Sequence, residues 1–124
     1  MDVTPLIPAG RQIIQGYGDG GFRISGVRHE GSVLIFPAES QIWAADSVES
    51  ITEASLTPVV ATDPKVEILL IGTGPKMQVL PSALRQYFRN LGIAIDAMDT
   101  GAACRTYNVL LAEERRVAAA LIAV

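Results

Sequence analysis

Val66-Glu67-Ile68-Leu69-Leu70-Ile71 runs into Gly72-Thr73-Gly74-Pro75, and Ile93-Ala94-Ile95-Asp96-Ala97-Met98 runs into Asp99-Thr100-Gly101-Ala102-Ala103-Cys104-Arg105. Each stretch is an apolar run that stops at small and polar residues. A near-continuous apolar run of this length reads as a strand buried on both faces. Between the two, Ser82 to Leu91 places Leu84, Tyr87, Phe88 and Leu91 at i, i+3, i+4 and i+7, one face of a helix, with Gly92 as its stop. A second helix is expected from about Thr100 to Glu113, with Ala103, Tyr107, Leu110 and Leu111 inward. A last apolar strand follows over Val117 to Val124. The order β-α-β-α-β calls for parallel strands joined by right-handed crossovers.

The half before Val66 has a different texture. Ile13 to Tyr17 reads as a strand, Gly18-Asp19-Gly20-Gly21 as a turn, and Phe22 to Ser25 as a half-buried strand. His29-Glu30-Gly31 reads as the next turn, and Ser32 to Phe36 as a strand stopped by Pro37. These make an antiparallel meander of about three strands. Gln41 to Ala45, around Trp43, reads as a further short strand. Ser50 and Glu53 have the spacing of a capping box opening a brief helix with Leu56, Val59 and Val60 on its apolar side. The expected fold class is α/β: a single compact domain, residues 13–124, in which an antiparallel β-meander packs with a parallel βαβαβ unit. Residues 1–12, with two prolines, read as an extended N-terminal arm.

Composition narrows the function classes. The chain has 124 residues, 49% hydrophobic and 19% charged, so it can bury a core without a metal or disulfide. A net charge of −3 offers no basic footprint for nucleic acid and no polybasic membrane anchor. No apolar run approaches the ~20 residues of a spanning helix. Met1 to Leu6 has neither a basic region nor an apolar core, so no secretory signal is expected, and no Arg/Ser-rich transit segment is seen. A single cysteine permits no internal disulfide. A cytoplasmic protein is the simplest reading. One His and one Cys cannot build a zinc site from one chain, and no metal or other cofactor is expected.

The ends of the two strands are the place to look for a site, since ligands of open α/β sheets bind there. Gly72-Thr73-Gly74 follows a strand, the right context for approach to an anion. Yet position 77 is Met, so the third glycine of a dinucleotide fingerprint is missing. No Gly-Lys-Ser/Thr follows, and Pro75 removes an amide donor. A structural glycine turn or protein-contact loop is therefore the stronger reading. Asp99 or Thr100 suits an N-cap, a structural role sufficient to explain either. The functional alternative has Thr73, Thr100 and Arg105 converging with helix amides on a carboxylate or phosphate. Cys104 lies near a helix start, where a thiol pKa falls, but also near the inner face, which favours a small core residue. Asp96 sits in a strand expected to be mostly buried. It must reach solvent or pair with a base such as Arg105 or Lys76, unless the strand is shorter.

Tyr17-Gly18-Asp19-Gly20-Gly21-Phe22, Leu70-Ile71-Gly72-Thr73-Gly74 and above all Met98-Asp99-Thr100-Gly101-Ala102-Ala103-Cys104-Arg105-Thr106-Tyr107-Asn108-Val109-Leu110 resemble the Mth938-like domain family. The resemblance runs from about Ile13 to Ile122. It implies a β-meander packed with a βαβαβ unit, and no established enzyme activity. The family's eukaryotic relatives include a mitochondrial complex I assembly factor that works with a protein partner. Without a mitochondrial targeting segment, this chain looks like a bacterial member. The resemblance carries over Gly72, Thr73, Gly74, Thr100, Gly101, Arg105, Tyr107 and Asn108 as a shared surface or pocket.

Two functions follow as expectations. One is a non-catalytic interaction or assembly-type factor with a protein partner, in which self-association is also open. It rests on the resemblance and on the poverty of catalytic groups. The other is a binder of, or enzyme on, a small anionic molecule, with Gly72, Thr73, Gly74, Thr100 and Arg105 holding the anion and Asp96 or Asp99 handling protons. A deep polar pocket at the two turns favours the second; a shallow apolar patch favours the first.

Overall fold

The structure is a computed structural model that describes residues 10–124. Residues 1–9, most of the expected arm, lie outside the described residues. Of the remainder, Gln12 is tied to the body: its N–H donates to the Pro37 carbonyl at 2.9 Å, and its own carbonyl accepts from the Tyr107 hydroxyl at 3.0 Å.

Three strands, β1 (Ile14–Gly18), β2 (Gly21–Ile24) and β3 (Val27–Glu30), form an antiparallel sheet in the order β1-β2-β3. The meander is therefore present, but its third strand is not the expected one. His29 and Glu30 pair with Phe22 and Gly21 inside β3, and the turn lies at Ser25-Gly26. Val27-Arg28-His29-Glu30 carries a single apolar residue, itself exposed, so no alternation marks it as a strand. The strand expected at Ser32 to Phe36 is β4 (Val33–Ile35), and it joins a second sheet.

That sheet has five strands, completed by β5 (Ser40–Ile42), β6 (Ile68–Gly72), β7 (Ala94–Met98) and β8 (Val117–Leu121), in the order β5-β4-β8-β6-β7. β6 pairs in parallel with both β7 and β8, while β4 runs antiparallel to β8 and β5. Helices α2 (Ser82–Asn90) and α3 (Thr100–Ala112) make the two crossovers. The βαβαβ unit stands as expected, with β6 between β7 and β8, and β8 is the buried centre of the five-stranded sheet.

The first crossover runs from β6 outward to β7 and the second from β7 back across β6 to β8, so right-handedness puts α2 and α3 on opposite faces. Alternation along each strand then serves two cores. Leu34, Leu69, Ile71, Ala118 and Ala120 face α2's Leu84 and Phe88. Val33, Ile35, Leu70, Ala119 and Leu121 face α3's Ala103, Cys104, Tyr107 and Leu111, with Phe22 and Ile24 of the small sheet joining them. The alanines of β8 have a reason here: a strand covered on both faces by side chains from helices and sheet has little room for larger ones.

Between the sheets' segments the expectations need adjustment. Trp43 is buried just beyond β5, its indole N–H donating to the Ser55 carbonyl at 3.0 Å. Ser50 does not open a helix; it closes a 3-10 turn, Val48–Ser50, and its hydroxyl accepts from the Ser47 amide at 3.2 Å. The reciprocal capping pair is Thr52 with Ser55, amide to hydroxyl both ways at 3.0 and 3.1 Å. It leads into α1 (Thr57–Ala61), whose Val59 is buried while Val60 is exposed. No helix among the described residues is long and apolar enough to cross a membrane.

Candidate functional site

The two strand-end turns meet. β6 ends at Gly72, where an added Cβ would lie 3.0 Å from both the Cα and the hydroxyl of Thr100; only glycine lets the strand end approach α3 so closely. The Thr73 amide donates to the Met98 carbonyl at 2.9 Å. Its hydroxyl donates to the Lys76 carbonyl at 2.7 Å and accepts from the Gln78 amide at 3.1 Å, which folds the following loop back on itself. Gly74, at φ +105°, donates its amide to the Thr100 hydroxyl at 2.9 Å. Thr100 returns an amide bond to the Gly74 carbonyl at 2.8 Å. The Thr100 hydroxyl also donates to the Ile122 carbonyl at 2.8 Å, so three chain segments are joined through one fully buried side chain.

The start of α3 is closed in the same manner. Asp99 is the N-cap and accepts from the Ala102 amide at 2.9 Å. Gly101 is covered by Tyr17 of β1: an added Cβ would lie 2.6 Å from the Tyr17 hydroxyl. Arg105 donates to that hydroxyl at 3.0 Å from an exposed position. One turn on, Asn108 pairs with the backbone of Ile14, accepting from its amide at 3.0 Å and donating to its carbonyl at 2.7 Å. The Asn108 amide thus supplies to β1 what a neighbouring strand would, beside the register shift between Ile14 and Gly16. Tyr107 is fully buried, and burial raises its phenol above the ordinary range. Burial likewise pushes the Cys104 thiol up to about 12, overcoming the neighbouring Arg105, so Cys104 is a core residue and not a thiolate.

Of the sequence candidates, Gly72, Thr73, Gly74, Asp99, Thr100, Gly101, Arg105, Tyr107 and Asn108 lie in one band of hydrogen bonds and close contacts from the end of β6 along α3 to β1. Asp96 is apart from it. β7 is the edge of the sheet, not a strand buried on both faces, and Asp96 is exposed with no ion pair among the described residues. The earlier dilemma of a buried carboxylate disappears, because the strand keeps its length and loses a neighbour.

The band leaves little for an anion. The Thr73, Gly74, Thr100 and Ala102 amides are all engaged within the fold. Two clefts lie elsewhere. The larger, about 650 Å³, is at the opposite end of the strands, between the Phe36–Gln41 segment, the end of α1 and the α3–β8 connection. Its rim carries Arg11, Glu39, Asp63, Glu114 and Arg116. Arg115 there is held by Glu67 at 2.7 Å, and the Arg115 hydrogen bond keeps the Glu67 carboxyl below its ordinary range. Sequence reasoning missed this cleft, since its walls come from four segments distant in the chain and no motif spans them. The smaller, about 210 Å³, lies beside β7 and is lined by Asp96 among others.

The family described as protein of unknown function (DUF498/DUF598) matches residues 14–122, which includes the whole of this band. The chain belongs to this DUF498 family. Among similar proteins, NADH dehydrogenase [ubiquinone] 1 alpha subcomplex assembly factor 3 of Homo sapiens is 38% identical over 109 residues, covering 88% of this chain and 59% of that protein. The chain thus spans about three-fifths of the length of the curated assembly factors it matches. A crystal structure described as an outer membrane protein from Bartonella henselae superposes with TM-score 0.85 at 41% identity, covering 96% of this chain and 99% of that one. A solution structure from Bordetella pertussis, described as a Mth938-like domain, gives TM-score 0.80 at 27% identity over 98% and 91% of the two chains. The DUF498 fold, including the meander-plus-βαβαβ arrangement, is thereby the Mth938-like one that the glycine turns and the Thr100–Asn108 stretch resemble.

Proposed function

We propose that this DUF498 chain is a non-catalytic, cytoplasmic protein-interaction factor of the assembly type. The similarity to assembly factor 3 supports that reading; the role in that name belongs to those proteins and is carried here as the proposal. The observation that carries the non-catalytic part is the engagement of the strand-end amides and hydroxyls with one another. A ligand cradle needs donors aimed at open space, and here Gly74, Thr100 and Ala102 aim theirs at protein. In this reading Thr73, Gly74, Thr100, Gly101, Tyr107 and Asn108 are framework that fixes the meander against the βαβαβ unit. Arg105, with Tyr17, is the part of the band that meets solvent and can touch a partner.

The test is affinity capture of the tagged full chain from its own cells, followed by reconstitution of the recovered pair from purified components. A protein that co-elutes reproducibly as a defined complex is the expected result. Failure to recover any partner, together with a rise in Tm in millimolar nucleotide, sugar phosphate or organic acid that Arg105→Ala abolishes, overturns the proposal in favour of an anion site.

A further inference from the structure

We infer that the larger cleft, at the end of the strands away from the band, binds a small zwitterion with an apolar body: an apolar amino acid or a short apolar peptide. The inference goes beyond the protein-interaction reading, and either can fail without the other. The cleft measures about 650 Å³, a size typical of small-molecule sites. Phe36, Val66, Leu111 and Val117, all buried, form its apolar floor. Charged side chains of both signs form its rim, and they select the ligand.

Glu114 marks the seat of the cationic end. It follows the C-cap of α3 at φ +60°, the left-handed position at which helices ordinarily place glycine. A glutamate there holds a strained backbone, and such residues concentrate at functional sites. Its charge is as unusual as its conformation. The C-terminal end of a helix is a negative pole that favours Lys or Arg. Yet the last turn of α3 has no basic residue, and Glu113 and Glu114 follow it. Arg115, next in the chain, is held by Glu67 at 2.7 Å. The helix end and the Glu114 carboxylate thus form a seat for an ammonium group.

Arg116, two residues on from Glu114, lines the same cleft and supplies the opposite charge. Its Nε donates to the Lys65 carbonyl at 2.9 Å, which anchors the guanidinium. The two terminal nitrogens have no hydrogen bond among the described residues. A planar fork held in this way suits a carboxylate. An amino acid carries its ammonium and carboxylate close together, as this connection carries Glu114 and Arg116. Arg11, Glu39 and Asp63 complete the rim. None of these five side chains makes an ion pair among the described residues. A simple anion would meet Glu39, Asp63 and Glu114 here, and a simple cation Arg11 and Arg116. A ligand carrying both charges can answer both sets.

The test follows the backbone amides of the isotope-labelled full chain with L-leucine, dileucine, N-acetyl-leucine and leucinamide. Saturable shifts at Leu111, Glu114 and Val117 are expected with leucine or dileucine, and the tighter of the two assigns a free amino acid or a short peptide. N-acetyl-leucine lacks the ammonium and leucinamide the carboxylate; each is expected to bind about tenfold more weakly. Glu114→Gln should weaken leucine about tenfold and leave N-acetyl-leucine unchanged, while Arg116→Gln should weaken leucine and leave leucinamide unchanged. Glu114→Gly, which relieves the left-handed position, should raise the Tm of the ligand-free chain and abolish the response to leucine. A purely structural Glu114 would not give that pairing. The inference is overturned by no saturable shift from either zwitterion below about 10 mM, by equal binding of N-acetyl-leucine or leucinamide, or by leucine binding undiminished in Glu114→Gly.

Discussion

Gly74 and Thr100 hold each other by two reciprocal hydrogen bonds, amide to hydroxyl at 2.9 Å and amide to carbonyl at 2.8 Å. Thr100→Val keeps the shape and removes the hydroxyl, leaving the Gly74 amide and the Ile122 carbonyl buried without that partner. The expected loss is about 2–4 kcal/mol in urea unfolding, with Thr100→Ser recovering most of it. A loss no larger than that of a surface substitution would mean that the two turns are not a structural clip.

Two glycines of the band, Gly72 and Gly101, predict opposite tolerances. At Gly72 a methyl group meets the Thr100 backbone at 3.0 Å, which cannot move without shifting α3; Gly72→Ala should cost about 1–3 kcal/mol. At Gly101 the obstacle is the end of the half-exposed Tyr17 side chain. Gly101→Ala should swing Tyr17 away and break its bond to Arg105, while the helix gains from alanine. Combining Gly101→Ala with Tyr17→Ala should therefore be less destabilising than the sum of the two, read as a double-mutant cycle.

Strands β6 and β8 and helices α2 and α3 were legible in the sequence because each buries a full face, so that period or run length has something to register. β3 was not, because a strand whose only apolar residue is exposed carries no pattern. The sheet membership of β4 was hidden for a different reason: its pairing of Val33 with Leu121 spans most of the chain. For the site, residue types and spacing located the band from Gly72 to Asn108 correctly in space. They could not reveal that its donors are turned inward, since a cradle and a clip use the same Gly and Thr. Nor could they separate a central from an edge strand, which decides the state of Asp96.

Asn108 stands in for a missing strand beside β1. Asn108→Ala should cost about 1–3 kcal/mol and release the Ile14 amide to exchange. Asn108→Asp keeps the acceptor for the Ile14 amide but sets a carboxylate against the Ile14 carbonyl. It should be no better than alanine at neutral pH and recover as the pH falls and the carboxyl protonates.

Cys104 predicts an alkaline weakness. Its folded thiol ionises near 12 against an ordinary 9.0, so above pH 9 the unfolded chain releases a proton that the folded chain keeps. Stability contributed by the buried thiol is complete below pH 9 and is lost as the pH rises toward 12, by about 1.4 kcal/mol per pH unit. Tyr107, raised by burial in the same core, adds to the fall at its upper end. Cys104→Ala should flatten the first part of the fall, and an alkylating reagent should leave Cys104 unmodified at pH 8 until the chain is unfolded.

The central claim is that the strand-end band is framework and that the chain acts through a protein partner. The most direct measurement follows the backbone amides of the labelled chain through two titrations, one with the captured partner and one with millimolar phosphate and nucleotides. The account predicts that the partner shifts surface amides as a defined complex forms, while the anions leave Gly74, Thr100 and Gly101 unmoved. Saturable anion shifts at those three amides, lost in Arg105→Ala, would contradict it.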